Sequence, residues 1–205
     1  MKIFAVGMNY IRHNKELDGA LYKPEEPVIF MKPDSAVLNN HKPFFIPDFM
    51  GRIEYETELV VRFCRLGKTI SRQFAHRYYD AVTVGIDFTA REMQHRLRQT
   101  GQPWEISKDF DGSAALGEWV SLDKFRDIQA LHFRLDINGK TVQEGCSSDM
   151  LYTVDELVEY ISRFFTIKTG DILFTGTPVG VGPVQEDDRL EGWIEDRKVL
   201  SFNCK

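Results

Sequence analysis

Three glutamates occupy alternate positions of the segment "IEYETELVV", residues 53 to 61. Side chains two residues apart lie on one face of a β-strand, so the segment predicts Glu54, Glu56 and Glu58 on one face and mainly apolar residues on the other. A solvated face explains this pattern without any function, because half-buried strands commonly alternate in this way. The chemical alternative is a group of carboxylates that binds a divalent cation.

Asp87 offers a third carboxylate at the end of the apolar run "AVTVGI". A helix is expected to begin near Thr89, and an acidic residue just before a helix also serves as an N-cap or first-turn acid. Glu56 and Glu58 are about 7 Å apart along an extended backbone, so their long side chains can converge with a carboxylate from another strand. Three such oxygen ligands suit Mg²⁺ or Mn²⁺ and leave coordination positions for water or substrate.

His13 and Glu16 in "NYIRHNKEL" are three residues apart, which makes them neighbours on a helical turn. A carboxylate beside an imidazole orients it and raises its basicity, so this pair could act as a general base. An isolated H-x-x-E spacing is weak evidence, and a surface histidine with an incidental acid has the same pattern. Lys108 in "ISKDFDG" is flanked by polar and turn residues, which is equally typical of an exposed lysine.

The elements that must position these side chains are mostly short strands, with turn residues between them. Asn138-Gly139 is the strongest hairpin signal, because both residues tolerate a positive φ. "TVDE" from Thr153 is a capping box that begins an amphipathic helix. The Gly-rich segment "TGTPVGVGP", residues 175 to 183, is a tight loop after the strand "DILF" that lets backbone approach a ligand, but it lacks the ending of a phosphate-binding loop. The strands are expected at residues 2–6, 28–31, 53–64, 81–87, 130–137, 140–144, 171–175, 190–194 and 198–203, and the other helices at about 71–80 and 89–99.

Strands that outnumber helices without regular βαβ alternation predict an α+β protein rich in mixed sheet. With 205 residues and 42% hydrophobic content, the chain is expected to form one domain over residues 1–205. The net charge of -5 and the lack of a lysine or arginine run argue against nucleic acid or an anionic membrane as partner. The apolar runs are strand-sized and no hydrophobic signal core is visible, so we expect no membrane span and a cytoplasmic location.

The three cysteines, Cys64, Cys146 and Cys204, are widely separated and contain no C-x-x-C pair. This spacing indicates reduced thiols and gives no sign of a disulfide framework or a zinc site.

Seven segments follow one another along almost the whole chain, from Gly7 to about Gly192: "GMNYIRHNKEL", "FMKP", "YETELVV", "GIDFTAREMQ", "GQPWEISKDFDG", "GCSSDM" and "TGTPVGVGPVQEDDRLEG". In this order they resemble the fumarylacetoacetate hydrolase family, most closely its small acylpyruvase and oxaloacetate decarboxylase branch. Each segment is a weak signal by itself, whereas their combined order is highly specific. The resemblance implies the β-rich mixed-sheet fold of that family's C-terminal domain with a few short helices, and a homodimer.

The resemblance also implies roles for individual residues. Glu56, Glu58 and Asp87 match the family's metal-binding carboxylates, for Mg²⁺ or Mn²⁺. Glu54 falls outside the motif and is expected either to be solvated or to assist the site without being a ligand. His13 and Glu16 match its catalytic histidine and glutamate, on a segment at about residues 10 to 22 that closes as a lid over substrate, and Lys108 matches its active-site lysine. The positions that contact substrate in the family correspond here to Arg91, Gln94 and Thr177.

The implied activity is metal-dependent cleavage of small 2-oxo acids. Acylpyruvates would be hydrolysed to pyruvate and a carboxylic acid, oxaloacetate would be decarboxylated, or both reactions would occur. An isomerase or hydratase of 2-hydroxy-dienoic diacids in aromatic catabolism is the alternative, because it would use the same metal and enol chemistry. A protein that binds 2-oxo acids without converting them is a third possibility.

Overall fold

The structure is a computed structural model that describes residues 1–18, 23–39 and 42–205. In chain order the β-strands of these residues are Ile3–Gly7 (β1), Val28–Lys32 (β2), Val37–Asn39 (β3), Ile53–Tyr55 (β4), Thr57–Phe63 (β5), Tyr79–Asp87 (β6), Thr89–Ala90 (β7), Ala114–Leu116 (β8), Val120–Ser121 (β9), His132–Ile137 (β10), Lys140–Cys146 (β11), Ile172–Phe174 (β12), Gly182–Pro183 (β13), Arg189–Ile194 (β14) and Arg197–Asn203 (β15). The α-helices are Ile11–Asp18 (α1), Arg72–Ala75 (α2), Arg91–Thr100 (α3), Glu105–Lys108 (α4) and Val154–Phe164 (α5).

The strands form three sheets, and the largest is mixed. Its order is β2-β1-β12-β5-β6-β8-β3, with β9 paired to β6. The pairs β1–β12 and β3–β8 are parallel, whereas β5–β6 and β12–β5 are antiparallel. A four-stranded sheet has the order β11-β10-β14-β15, and a small sheet has the order β13-β4-β7. The α+β, mixed-sheet expectation is therefore confirmed.

The two faces of the central strand β5 contribute to different clusters. Leu59, Val61 and Phe63 belong to the main hydrophobic core, as the period of two along a strand requires. Val60 faces the other side and packs in a smaller cluster with Phe174 and the start of β1. The four-stranded sheet closes over the main core, where a Cβ atom at Gly192 would lie only 2.8 Å from Cγ1 of Val84. Glycine is required there because the two sheets approach so closely.

Two local signals of the sequence form the structures that they predict. Asn138 and Gly139 form the turn between β10 and β11, with φ values of 53° and 77°. Thr153 caps α5 in a complete capping box with Glu156. Both motifs depend on residues that are close in sequence, which is why they could be recognised without the fold.

Two expectations about secondary structure were wrong. The helix expected at residues 71–80 is only the single turn α2, because Tyr79 already belongs to β6 and pairs with Phe63. The strand expected at residues 53–64 is broken at Glu56. Its first part, β4, leaves the large sheet and pairs with β7 in the small one. The helix expected at residues 89–99 exists, but α3 begins at Arg91 because Thr89 and Ala90 form β7.

No helix within residues 1–18, 23–39 and 42–205 combines the length and the apolar character that crossing a bilayer requires.

Candidate metal centre and catalytic pocket

Glu56, Glu58 and Asp87 come together where the start of β5 lies beside the end of β6. Glu56 lies in the break before β5, Glu58 lies within β5, and Asp87 is the last residue of β6. Thr57 pairs with Ile86 across the two antiparallel strands, and the Asp87 N–H donates to the Glu56 carbonyl over 2.9 Å. One carboxylate oxygen from each residue lies within 4.8 Å of the other two, and all three side chains are buried. We call these residues the carboxylate cluster.

Basic side chains surround two members of the carboxylate cluster. Nζ of Lys108 lies 2.7 Å from Oε2 of Glu56 and 2.8 Å from Oδ2 of Asp87. Arg91 donates from Nη2 to Oε1 of Glu56 over 2.5 Å. Burial opposes ionisation of Glu56, but the charges of Lys108 and Arg91 outweigh it and hold the pKa of this carboxyl well below its ordinary value. The same carboxylates raise the pKa of Lys108 despite its own burial, so Lys108 is an ammonium ion.

Glu58 has a different environment. Its carboxylate accepts a 2.7 Å hydrogen bond from the backbone N–H of Gly176 in the Gly-rich loop. Burial and the negative charges of Asp87 and Glu56 nevertheless raise the pKa of Glu58 well above its ordinary value. A divalent cation within the cluster would relieve this repulsion, and an oxygen-only donor set is the kind that Mg²⁺ and Mn²⁺ prefer. The residues present therefore fit the expected metal.

The Gly-rich loop is held close to the cluster by its backbone conformation. Gly176 has a φ of 100°, and a Cβ atom there would lie 2.7 Å from Cβ of Asn9. Asn9 itself fixes the loop, because its side-chain amide donates to the carbonyl oxygens of Thr175 and Tyr152. Glycine at position 176 thus allows the loop to bring its N–H to Glu58.

His13 and Glu16 form a hydrogen-bonded pair on α1. Nδ1 of His13 lies 3.0 Å from Oε2 of Glu16, and the His13 side chain is buried, at 3% exposure. The backbone N–H of Gly180 in the Gly-rich loop donates to both Glu16 oxygens over 3.2 Å and 3.3 Å. Burial raises the pKa of Glu16, but the hydrogen bonds from His13 and Gly180 outweigh it, so the pKa lies below its ordinary value. A carboxylate in this position orients the imidazole and supports it as a base.

These elements enclose one small pocket, which we call the catalytic pocket. Its interior volume is about 30 Å³. The residues that line it are Val6, Gly7, Met8, His13, Phe30, Glu56, Asp87, Gln94, Arg98, Trp104, Lys108 and Thr177. The structure therefore brings together His13, Lys108, two of the cluster carboxylates and two of the expected substrate contacts. Glu16, Glu58 and Arg91 are not part of this lining. They lie behind it, next to residues that line the pocket.

Arg91, Gln94 and Thr177 bind other protein groups in this structure. Arg91 donates from Nη1 to Oε1 of Gln94 over 2.6 Å, which orients the Gln94 amide. The Thr177 hydroxyl donates to the Thr57 carbonyl over 2.9 Å and accepts a hydrogen bond from Nε2 of Gln143. Thr177 thereby attaches the Gly-rich loop to β5.

Sequence reasoning missed two residues of this site, Lys32 and Gln143, and left the place of Glu54 open. Lys32 is fully buried, and its Nζ lies 2.7 Å from Oδ1 of Asp87. Glu54, which the alternating pattern also allowed to be solvated, is buried against Arg91. Gln143 accepts a hydrogen bond from the Thr57 N–H in addition to binding Thr177. Of the two missed residues, Lys32 had a signal, because it lies in the segment "FMKP" at the end of an apolar strand. Nothing local singles out Gln143.

The fumarylacetoacetate hydrolase C-terminal family matches residues 2–204. This chain belongs to that family. Among its relatives, oxaloacetate tautomerase YcgM of Escherichia coli (strain K12) is 37% identical over 190 residues, which are 92% of this chain and 86% of the relative.

Two solved structures extend the comparison within the family. Fumarylpyruvate hydrolase of Pseudomonas aeruginosa, in complex with Mn²⁺ and pyruvate, is 33% identical with a TM-score of 0.92, and the match covers 100% of this chain and 89% of that chain. The 2-hydroxyhepta-2,4-diene-1,7-dioate isomerase of Mycobacterium marinum is 31% identical with a TM-score of 0.85, covering 99% of this chain and 73% of that chain. The family thus includes a hydrolase, a tautomerase and an isomerase built on one fold.

Proposed function

We propose that this family member is a divalent-metal-dependent enzyme that hydrolyses acylpyruvates to pyruvate and a carboxylic acid. The observation that carries the proposal is that His13, which is paired with Glu16, lines the same pocket as Glu56, Asp87 and Lys108. A base, a charged donor and a metal-binding carboxylate cluster are the groups that this hydrolysis needs.

Glu56, Glu58 and Asp87 would hold Mg²⁺ or Mn²⁺ through their carboxylate oxygens. When bound, the ion supplies Lewis acidity toward the oxygens of a 2-oxo acid and favours the negative charge that develops beside the carbonyl group. Lys108 contacts two of the same carboxylates, so the ion and the ammonium group must share them.

The side chains of the catalytic pocket perform the remaining steps. His13, oriented by Glu16 through Nδ1, takes a proton from water at its other ring nitrogen as the water attacks the distal carbonyl carbon. Lys108 donates a hydrogen bond to the oxyanion that forms on that carbonyl. Collapse of the oxyanion breaks the C–C bond to the pyruvyl methylene group, and His13 returns its proton to that carbon to give pyruvate beside the carboxylic acid. Gln94, oriented by Arg91, and Thr177 border the space for the pyruvyl half of the substrate. His13 is itself buried, so bulk water has little access to its imidazole.

The solved hydrolase supports this proposal by its bound groups. The Pseudomonas aeruginosa enzyme is named fumarylpyruvate hydrolase, and its structure contains Mn²⁺ and pyruvate. Pyruvate is also the product that we propose for this chain.

Tautomerisation of oxaloacetate is a second candidate, favoured by the 37% identical Escherichia coli relative of that name. In this reaction His13 would move a proton between C3 and the enol oxygen, and no water would attack.

Decarboxylation of oxaloacetate requires no base. The isomerase alternative is favoured by the Mycobacterium marinum structure and uses proton transfer on a longer dienoic diacid.

The deciding experiment follows acetylpyruvate and oxaloacetate with chelator-stripped protein, with and without Mg²⁺ or Mn²⁺. We expect metal-dependent release of pyruvate and acetate from acetylpyruvate. Exchange between the keto and enol forms of oxaloacetate without cleavage of either substrate would replace hydrolysis by the tautomerase candidate. Tight binding of both compounds without any conversion would favour a binding protein.

We also propose that α1 belongs to a lid. The helix contacts the Gly-rich loop through Glu16 and Gly180, and it carries the buried His13. Oxalate, which resembles the enolate of pyruvate, is expected to slow protease cleavage within residues 10–22 in the presence of Mn²⁺. Equal cleavage with and without oxalate would contradict the lid. Part of this segment, residues 19–22, lies outside the described residues.

A homodimer, a single domain over residues 1–205 and a cytoplasmic location complete the proposal. Light scattering on the purified protein tests the first of these, with a mass of twice 23.7 kDa as the expected result.

A further inference from the structure

A second pocket adjoins the catalytic pocket on the side of Phe30 and Trp104. Its volume is about 370 Å³, compared with about 30 Å³ for the catalytic pocket. Its walls include Val28, Phe30, Pro103, Trp104, Glu105 and Asp109. We call it the acyl groove.

The partition between the two pockets is one layer of side chains. Phe30 and Trp104 line both pockets, and their rings meet edge to face with centroids 5.9 Å apart. On the side of the catalytic pocket, a Cβ atom at Gly7 would lie 3.6 Å from the Trp104 ring and 3.7 Å from Cγ1 of Val28. Phe30 and Trp104 therefore separate the two spaces, and their side chains would have to rotate for one substrate to occupy both.

Lys108 connects this partition to the proposed chemistry. Its Nζ atom lies 5.7 Å from the centroid of the Phe30 ring while it binds Glu56 and Asp87. A distal carbonyl group that accepts a hydrogen bond from Lys108 would carry its substituent beside Phe30. The catalytic pocket is too small for such a substituent, whereas the acyl groove has room for a chain of several carbons.

The residues in the walls of the acyl groove determine whether an apolar or a charged substituent is bound. Val28, Phe30, Pro103 and Trp104 are apolar, and the lining also contains the two acidic residues Glu105 and Asp109. Among the residues that the structure describes, those that line the acyl groove include no basic side chain, so none of them would pair with a second carboxylate at the far end of a substrate. An apolar chain would be desolvated favourably there, and a terminal carboxylate would be repelled.

We propose that the acyl groove binds the acyl chain of the substrate, and that the preferred substrates are acylpyruvates with an unbranched apolar acyl group of about four to six carbons. This inference rests on the proposed hydrolysis and specifies its substrate class. The preference for an apolar acyl group would distinguish this chain from an enzyme that acts on diacids such as fumarylpyruvate.

The test compares kcat/KM for acetyl-, butanoyl- and hexanoylpyruvate and for fumarylpyruvate, with Mn²⁺ present. We expect kcat/KM to rise by about fourfold for each methylene group that enters the groove, and fumarylpyruvate to be a poorer substrate than butanoylpyruvate. Val28→Phe fills the groove and is expected to lower the ratio of kcat/KM for hexanoylpyruvate to kcat/KM for acetylpyruvate by about tenfold or more. Val28→Thr has nearly the volume of the native side chain and serves as the matched control.

The outcomes separate the two proposals. Two results would reject the acyl groove as the binding site but retain the proposed hydrolysis. In one, acetylpyruvate is cleaved but chain length has no effect on kcat/KM; in the other, Val28→Phe lowers kcat/KM equally for all substrates. If the native protein cleaves none of the four substrates, both the proposed hydrolysis and the proposed role of the acyl groove are rejected. Should Val28→Phe not fold, Gln102→Trp at the exposed rim obstructs the same space and replaces it.

Discussion

Nε of Arg91 donates a 2.6 Å hydrogen bond to the carboxylate of Glu54, and the two residues are only 2% and 5% exposed. The same guanidinium group binds Glu56 of the carboxylate cluster and Gln94 of the catalytic pocket. Arg52 binds the other oxygen of Glu54 over 2.7 Å. Glu54 therefore acts on the pocket through Arg91, although it lies outside the carboxylate cluster.

Glu54→Ala tests this relationship. It leaves a buried guanidinium group with fewer acceptors, so we expect the free energy of unfolding to fall by about 2 kcal/mol. Because Arg91 orients Gln94, KM for acetylpyruvate should rise more than kcat falls. Urea unfolding and steady-state kinetics measure the two effects. Glu54→Gln keeps one acceptor and should show smaller changes. If the exposed Glu144→Ala changes KM as much, Glu54 has no special role.

Glu58→Gln should have opposite effects on metal binding and on stability. Removal of one of three crowded carboxylates weakens Mn²⁺ binding by at least about tenfold, since a ligand changes from an anion to an amide. In the presence of a chelator the same variant should unfold at a higher temperature than the native protein, because a repulsive charge is gone. Titration calorimetry and thermal unfolding check these outcomes. A variant with unchanged Mn²⁺ affinity would remove Glu58 from the metal site.

His13→Ala should separate chemistry from metal binding. The loss of a general base is expected to lower hydrolysis of acetylpyruvate by about 10²- to 10⁴-fold, while the affinity for Mn²⁺ stays within about twofold of the native value. Oxaloacetate decarboxylation should survive, because it needs no base. Assays of both substrates with one preparation make the comparison direct. Normal hydrolysis by this variant would show that another group activates water.

Asp109 should give the stability a specific pH dependence. Burial and the charge of Asp87 raise its pKa from 3.8 to about 7, although Lys32 opposes the shift. Between these values the folded protein holds a proton that the unfolded chain has released, so this group lowers stability as the pH rises from about 4 to about 7. Asp109→Asn should remove that part of the slope in chemical unfolding series. An unchanged slope, or an equal effect of the exposed Asp111→Asn, would contradict the assignment.

Thr153→Ala provides a stability change that leaves the site intact. The variant loses the hydrogen bond from the Glu156 N–H to the Thr153 hydroxyl and should cost about 1 kcal/mol of unfolding free energy. Turnover at a temperature well below the unfolding transition should not change. A large loss of activity would show that α5 contributes to the site by a route that its capping box does not explain.

The sequence by itself determined the features that depend on near neighbours. Asn138-Gly139 specifies a hairpin turn because its two residues accept positive φ, and Thr153 specifies a helix start because its partner is three residues away. The alternation of Glu56 and Glu58 placed two carboxylates on one side of an extended segment, and the order of seven segments pointed to the family. These signals need no knowledge of what packs against them.

Only the tertiary structure decided which charges are paired and where the pocket ends. The alternation treats Glu54 like Glu56 and Glu58, but β4 turns into another sheet and buries Glu54 against Arg91. Lys32 reaches Asp87 from a strand more than fifty residues away in sequence. Phe30 and Trp104 meet as a partition although no local pattern relates them. The helix expected at residues 71–80 gave way to β6, because pairing with β5 outweighed the preference of the isolated segment. Such contacts join distant parts of the chain, so their energies exist only in the folded protein.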